Sequence, residues 1–237
     1  MVWATLPMKK VLLIGSELGK GGAERSISLL SYYLSHHYDV TLCILSGRSR
    51  ESFYKTCGKV IFIDPPGSAG LLDKIKGWRF RIKKLRELKN KLQPDVAISF
   101  LEGPDYANVI TKGKEKVVVS IRGSKWFDKE ISGAKGWLRK KILMPRLYKK
   151  ADEIVCVTKA LAEEMQTYLK IPAAKLKVIY NFYERDEIVA KAAQPLTEEE
   201  KKIFTRPVII NSGRLHPQKE QQRLISVFSE VQKAKDC

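Results

Sequence analysis

Short apolar runs recur along the chain at residues 11–14, 40–45, 60–63, 96–100, 117–121, 154–157 and 176–180. Each has the length of a buried strand rather than a helix. Between several of them apolar residues return every three or four positions, which predicts helices over 23–37, 71–92, 106–112, 134–150 and 160–169. Strands that alternate with helices form parallel sheets, because each crossover helix returns the chain to the same edge. The expected fold is therefore α/β, a Rossmann-like parallel sheet with helices on both faces. In such sheets ligands bind beyond the carboxyl ends of the strands.

The pattern changes after Asn181. Residues 184–205 are polar and charged, include Gln194-Pro195 and the run Glu198-Glu199-Glu200, and read as a linker with a short helix. A new strand is expected over 207–211, a turn at Gly213, and an amphipathic helix over 218–234. Three segments result: a first domain at 1–181, a linker at 182–205, and the start of a second strand–helix domain at 206–237. About 30 residues are too few to bury a core of their own. The second domain is expected to be incomplete.

Composition alters this picture mainly through charge. The 237 residues include 44 Lys and Arg against 26 Asp and Glu, a net charge of +18, which favours anionic partners. The cations concentrate in two of the expected helices. Residues 71–92 hold nine Lys or Arg, with Trp78, Arg79, Phe80 and Lys83 among them. Residues 134–150 hold Lys135, Arg139, Lys140, Lys141, Arg146, Lys149 and Lys150 with no acid, beside Trp137 and Leu138. A charge run is ordinarily a solvated face. Interleaved aromatics favour an anionic membrane surface instead, with Trp78, Arg79, Lys83, Trp137, Arg139 and Lys140 as contact candidates. No nucleic-acid module signature is present, and no nucleic-acid partner is expected.

Cys43 and Cys156 lie in apolar runs and, like Cys57 and Cys237, follow no pairing or metal-binding spacing, which fits a reducing cytoplasm. With three histidines, no HExxH and no Asp-x-Asp, no metal site or resident cofactor is expected. The lysines near the N-terminus follow the apolar residues of 1–7, the reverse of a secretion signal, and no run approaches the roughly 20 apolar residues of a membrane span. The expected location is cytoplasmic, peripheral at the inner face of the cell membrane.

Candidate chemistry begins at Gly19-Lys20-Gly21-Gly22-Ala23-Glu24-Arg25, between the first strand and the first helix. Free N–H groups at a helix start, approached over glycine, suit a phosphate. The turn is not a P-loop, because Gly15-Ser16-Glu17-Leu18-Gly19-Lys20 has one residue too few and Gly21 follows the lysine. It is not a dinucleotide fingerprint either, since Glu24 stands where the third glycine belongs. The same residues also make a plain tight turn. A second candidate, Asn211-Ser212-Gly213-Arg214-Leu215-His216-Pro217-Gln218-Lys219, places two cations around the last helix start.

Taken together, the chain resembles the retaining glycosyltransferases of family 4, which have the two-Rossmann-domain GT-B fold. The resemblance is carried by Gly21-Gly22-Ala23-Glu24-Arg25, by residues 151–161, by Lys175-Leu176-Lys177-Val178-Ile179-Tyr180-Asn181, and by Gly213-Arg214-Leu215 with Pro217-Gln218-Lys219. Residues 99–106 also resemble members that extend lipid-linked oligosaccharides. The resemblance implies a nucleotide-sugar donor, usually a UDP-sugar, held between two domains, and a lipid-linked or saccharide acceptor received by the first. It implies donor contacts at Gly21, Gly22, Arg214 and Lys219, with the two cations stabilising the leaving diphosphate and no metal required. Glu102 and Arg122 are the acceptor-side candidates; Arg122 stands where many members carry a histidine, and Glu220 where many carry glycine. The family's paired glutamates for the donor would lie beyond residue 237, so little transfer activity is expected of these residues alone, and the catalytic group is left unassigned. The alternative is a non-catalytic basic module for anionic membrane or nucleic acid.

Overall fold

The computed structural model describes residues 8–46, 52–65, 70–128 and 131–235. The segment 1–7 and Cys237, both read above from sequence, lie outside them. The chain divides into two compact units, one ending at Phe182 and the other starting at Tyr183.

The first unit is built on seven parallel strands: β1 (Lys10–Gly15), β2 (Asp39–Ile44), β3 (Lys59–Phe62), β4 (Val96–Phe100), β5 (Lys116–Ile121), β6 (Glu153–Cys156) and β7 (Leu176–Val178). Their order in the sheet is β3-β2-β1-β4-β5-β6-β7. The chain winds outward to β3, then returns to lay β4 beside β1 in register, with Val11 opposite Val96 and Ile14 opposite Ser99. That reversal opens a crevice at the carboxyl ends of β1 and β4, where sheets of this kind receive ligands.

Both faces of the sheet are buried because successive side chains point to opposite sides. In β1, Val11 and Leu13 join one cluster with Ile27 and Leu30 of helix α1 (Gly22–Leu34). Leu12 and Ile14 join another with Leu85 and Leu88 of α2 (Leu71–Leu92). A third cluster sets Val117, Val119 and Ile154 against Met144, Tyr148 and Met165.

The boundaries of α2 are those expected from its spacing. Helix α3 (Glu102–Ile110) begins four residues before the expected start at Tyr106. Gly103 and Pro104 look like breakers, but the first turn of a helix needs no N–H from its prolines. The single helix expected over 134–150 is a composite: α4 (Gly133–Leu138), a π-turn at Arg139–Leu143, and α5 (Met144–Tyr148). Pro145 offers no N–H and presses on the carbonyl four residues back, and the wider turn accommodates it. Helix α6 (Lys159–Thr167) is capped by the Thr158 hydroxyl, which accepts the Leu161 N–H at 3.2 Å.

The second unit holds α7 (Arg185–Ala192), α8 (Glu198–Ile203) and α9 (Gln221–Lys235). The strand expected at 207–211 has no ladder partner among the described residues; Ile209 and Ile210 are 67% and 70% exposed. An apolar run becomes a strand only when a neighbour takes its hydrogen bonds.

Candidate functional site

The carboxyl ends of β1, β4 and β5 carry most of the expected chemistry of the first unit. After β1 the chain turns through Leu18–Gly21 into α1, with no side-chain cap at Gly21. The turn is pinned from the segment after β2: the Tyr54 hydroxyl donates to the Lys20 carbonyl at 3.0 Å, and the Lys20 ammonium lies 4.9 Å from the Phe53 ring centre.

The two glycines of the turn have different surroundings. A Cβ at Gly21 would lie 2.2 Å from the Glu24 carboxylate, whereas one at Gly22 would meet nothing within 4 Å. Gly103 after β4 and Gly123 after β5 share this property with Gly22, and all three have ordinary negative φ values. Nothing inside the protein demands glycine there, and glycine within a helix costs about 1 kcal/mol against alanine. The three follow β1, β4 and β5, which are adjacent in the sheet.

Glu102 opens α3 directly after Leu101, whose φ of 73° and ψ of 158° form a conformation that L-residues rarely adopt. Such a junction costs on the order of 1–3 kcal/mol and persists where the surroundings impose it. Glu102 Oε1 accepts from Arg139 Nε at 2.9 Å, from Arg139 Nη2 at 2.6 Å and from the Tyr106 hydroxyl at 2.6 Å. The Glu102 hydrogen bond raises the Arg139 pKa, and burial followed by the hydrogen bond to Glu102 raises that of Tyr106. Arg139, expected at a membrane surface, is thus joined to Glu102 by an ion pair.

Arg122 leaves the end of β5 and reaches three elements. Its guanidinium donates to Ser26 Oγ of α1 and to Asn181 Oδ1 beyond β7, and lies 5.8 Å from the centre of the Phe100 ring at the end of β4. The loop that follows is held by Glu164 of α6, a buried carboxylate accepting the N–H groups of Lys125 at 2.7 Å and Trp126 at 2.9 Å. Ser26 and Glu164 carry no sequence signal of this role, because their partners are 96 and 39 residues away.

The six membrane-contact candidates separate. Trp78 is partly buried and packs against two core clusters, while Arg79 and Lys83 of the same helix are exposed. Trp137 and Leu138 are 59% and 52% exposed, near the 63% exposed Phe127 in sequence. Lys140 donates to the carbonyls of Trp126 at 2.6 Å and Asp128 at 3.2 Å, and Lys141 lies 4.4 Å from the Trp126 ring centre. Trp126 itself stacks on Tyr168, with centroids 5.0 Å apart.

In the second unit Lys219 sits on a single 3-10 turn (Pro217–Lys219), and its stem passes 3.6 Å from where a Cβ on Gly213 would be. The Arg214 carbonyl accepts from Gln221 Nε2 at 2.7 Å, so the turn brings Gly213, Arg214 and Lys219 together. Both cations are exposed. Among the described residues no group of three or more His, Cys, Asp or Glu is placed to hold a metal ion, and no helix is long and apolar enough to cross a membrane.

One buried acid escaped the sequence reading. Asp105 of α3 has no exposed surface, and neither of its oxygens has a hydrogen-bond partner. Burial pushes its carboxyl up to about 7, opposed by Lys125 and Ser99 and reinforced by the charge on Glu102.

Comparison with known proteins bears on the family and the fold. The family model Glycosyltransferase Family 4 matches residues 20–187. An N-acetylgalactosamine-N,N'-diacetylbacillosaminyl-diphospho-undecaprenol 4-alpha-N-acetylgalactosaminyltransferase from Campylobacter jejuni is 24% identical over 229 residues, covering 94% of this chain and 60% of that protein. The crystal structure of HepE from Anabaena in complex with UDP and glucose aligns with a TM-score of 0.62 at 14% identity, over 94% of this chain and 58% of that one. The UDP-GlcNAc 2-epimerase of Methanocaldococcus jannaschii aligns with a TM-score of 0.55 at 15% identity, over 97% and 64%. The structural likenesses establish a shared fold, which transferases and epimerases both use. The chain spans about 60% of the length of the curated relative it matches.

Proposed function

The chain belongs to Glycosyltransferase Family 4, and on that premise we propose that its first unit is the acceptor side of a retaining enzyme that transfers a sugar from a UDP-sugar to a hydroxyl of a polyprenyl-diphosphate-linked glycan. One observation carries the acceptor assignment. Glu102 and Arg122, of opposite charge, flank the open glycines Gly103 and Gly123 at the carboxyl ends of β4 and β5. A carboxylate can accept from a sugar hydroxyl, and a guanidinium can hold phosphate or hydroxyl oxygens. The name of the Campylobacter relative, which includes a diphospho-undecaprenol acceptor, supports the lipid-linked class.

Gly21 and Gly22 in the first unit, and separately Arg214 and Lys219 in the second, are the donor-diphosphate candidates in this reading. The cations stabilise charge that grows on the leaving nucleotide, and preorganised groups of this kind supply much of an enzyme's rate enhancement. No metal or other cofactor takes part. The enzyme sits at the cytoplasmic face of the cell membrane through Phe127, Trp137 and Leu138 with Lys135 and Lys141, because on this element the apolar anchors and the cations are exposed together. Helix α2 contributes cations only, since Trp78 serves the core.

The test is calorimetric titration of the 237-residue chain with a short polyprenyl diphosphate disaccharide, with UDP, and with single-stranded RNA across a salt series. Micromolar, saturable binding of the glycolipid that drops at least tenfold in Arg122→Ala is the expected result. Tight sequence-dependent RNA binding with no glycolipid signal would overturn the assignment in favour of a basic binding module.

A further inference from the structure

Helix α3 and the composite helix of α4, the π-turn and α5 are joined by two acidic side chains on α3, three residues apart. At the outer one, Glu102 is gripped by Arg139 of the π-turn. At the inner one, Asp105 faces Tyr148 of α5, and the Tyr148 hydroxyl is itself buried without a hydrogen-bond partner. The rings of Tyr106 and Tyr148 lie 6.0 Å apart between the two contacts.

The groups that act on Asp105 come from four parts of the unit. Ser99 lies on β4, Lys125 on the loop after β5, Glu102 on its own helix and Tyr148 on α5. The Ser99 and Tyr148 hydroxyls lie near enough to favour the charged carboxyl, but neither closes a well-formed hydrogen bond to it. The Ser99 hydroxyl donates to the Val118 carbonyl at 3.4 Å and accepts from Asn108 Nδ2 at 3.3 Å. Lys125 acts on the acid only through its charge. Burial in a dry interior favours the neutral acid, because an unpaired buried charge is far costlier than a buried neutral group.

We propose that Asp105 is a positioning residue whose neutral form keeps α3 seated against Tyr148 and Glu102 on Arg139, and whose ionisation loosens both contacts. The step is a proton exchange between Asp105 and solvent, with no other bond made or broken. Its consequence for function rests on the reading of Glu102 as an acceptor-side group; the latch between the helices does not. Burial that pushes Asp105 up to about 7 would set the change inside the physiological range.

The experiment follows the Asp105 carboxyl carbon and the Arg139 Nε–H by NMR in the full 237-residue chain from pH 5.5 to 8.5. The expected result is a carboxyl midpoint near 7 and an acceleration of Arg139 Nε–H exchange at least fivefold beyond the ordinary base-catalysed slope, at the same midpoint. Asp105→Asn should show the base-catalysed slope alone. The carboxyl titration needs no variant, so it stands even if Asp105→Asn folds poorly. A midpoint near 4, or Arg139 exchange that slows as Asp105 ionises, would overturn the latch. Glycolipid titration in parallel separates the two ideas. Affinity that falls several-fold from pH 6 to pH 8 in the natural chain and stays level in Asp105→Asn supports both. An intact Arg139 step with no glycolipid binding at any pH sustains the latch and overturns the acceptor reading.

Discussion

The two ends of the sheet in the first unit treat buried polar groups in opposite ways. At the amino end, Lys89 and Glu115 are both buried and form an ion pair of 2.7 Å, so Glu115 Oε1 has a charge partner although it closes no well-formed hydrogen bond. Lys89 also donates to the Asn108 carbonyl at 3.0 Å and to its Oδ1 at 2.7 Å, and Asn108 Nδ2 donates to the Ala97 carbonyl at 3.0 Å. At the carboxyl end, Leu101 is strained, Asp105 and Tyr148 lack partners, and three glycines stand over open space. A polar network with its bonds made fixes a structure. Unpaired or strained groups persist at a cost, and the carboxyl end holds the strained Leu101 and an Asp105 carboxyl with neither an ion pair nor a closed hydrogen bond.

The largest expected effect lies at the satisfied end. Lys89→Met strands Glu115 in the interior and should cost about 3–5 kcal/mol in denaturant unfolding. Glycolipid affinity of the remaining folded protein should be unchanged. Equal losses of stability and binding would erase the contrast between the two ends.

Asp105→Asn should do the reverse and stabilise the protein, in a pH-dependent way. The folded carboxyl titrates about 7 against 3.8 for the ordinary side chain. A raised acid contributes stability in full below its unfolded pKa, and that contribution is lost as pH rises toward the folded value. The variant should therefore match the natural chain near pH 4 and exceed it at pH 8 by several kcal/mol, with about 4 kcal/mol as the ceiling. Unfolding curves with the same pH dependence in both proteins would remove Asp105 from the unsatisfied set.

Gly103→Ala and Gly22→Ala should leave stability unchanged or raise it by about 0.5–1 kcal/mol, since both glycines are helical and unobstructed. Gly103→Ala and Gly123→Ala should weaken glycolipid binding about tenfold, worth about 1.4 kcal/mol. Gly136→Ala is the contrasting control, because its Cβ would lie 2.6 Å from the Ile131 backbone and should destabilise without touching the crevice. Glycolipid affinity unchanged in Gly103→Ala and Gly123→Ala would make the open space mere surface.

The smallest effect is expected at the exposed aromatic rim. Trp137→Ser should leave the melting temperature within about 1 °C and reduce sedimentation with anionic vesicles several-fold. Trp78→Ser should unfold the protein more readily instead, because its ring is packed against two core clusters. Equal vesicle binding by Trp137→Ser and the natural chain would remove this element from the membrane.

The sheet and the turn after β1 could be read directly from the residues. A fully buried parallel strand has to be a short apolar run, and α2 announces both ends through its spacing, so local rules suffice. Those rules misled at α3, which starts at Glu102 instead of the expected Tyr106, and at 207–211, where an apolar run found no ladder partner among the described residues. The family match over residues 20–187 bears out the resemblance carried by Gly21-Gly22-Ala23-Glu24-Arg25 and by residues 151–161.

By itself the sequence determined the α/β architecture, the placing of a glycine turn at a strand end, and the family. These depend on periodicity and backbone freedom, which are properties of neighbours in the chain. Only the tertiary structure decided which of two equally basic helices exposes its tryptophan, that Arg139 belongs to Glu102, and that Asp105 is an acid without a partner. Arg122 makes the reason plain. Its partners Ser26 and Asn181 lie 96 and 59 residues away. Contacts across such separations are chosen by how the sheet winds, and no local pattern records them.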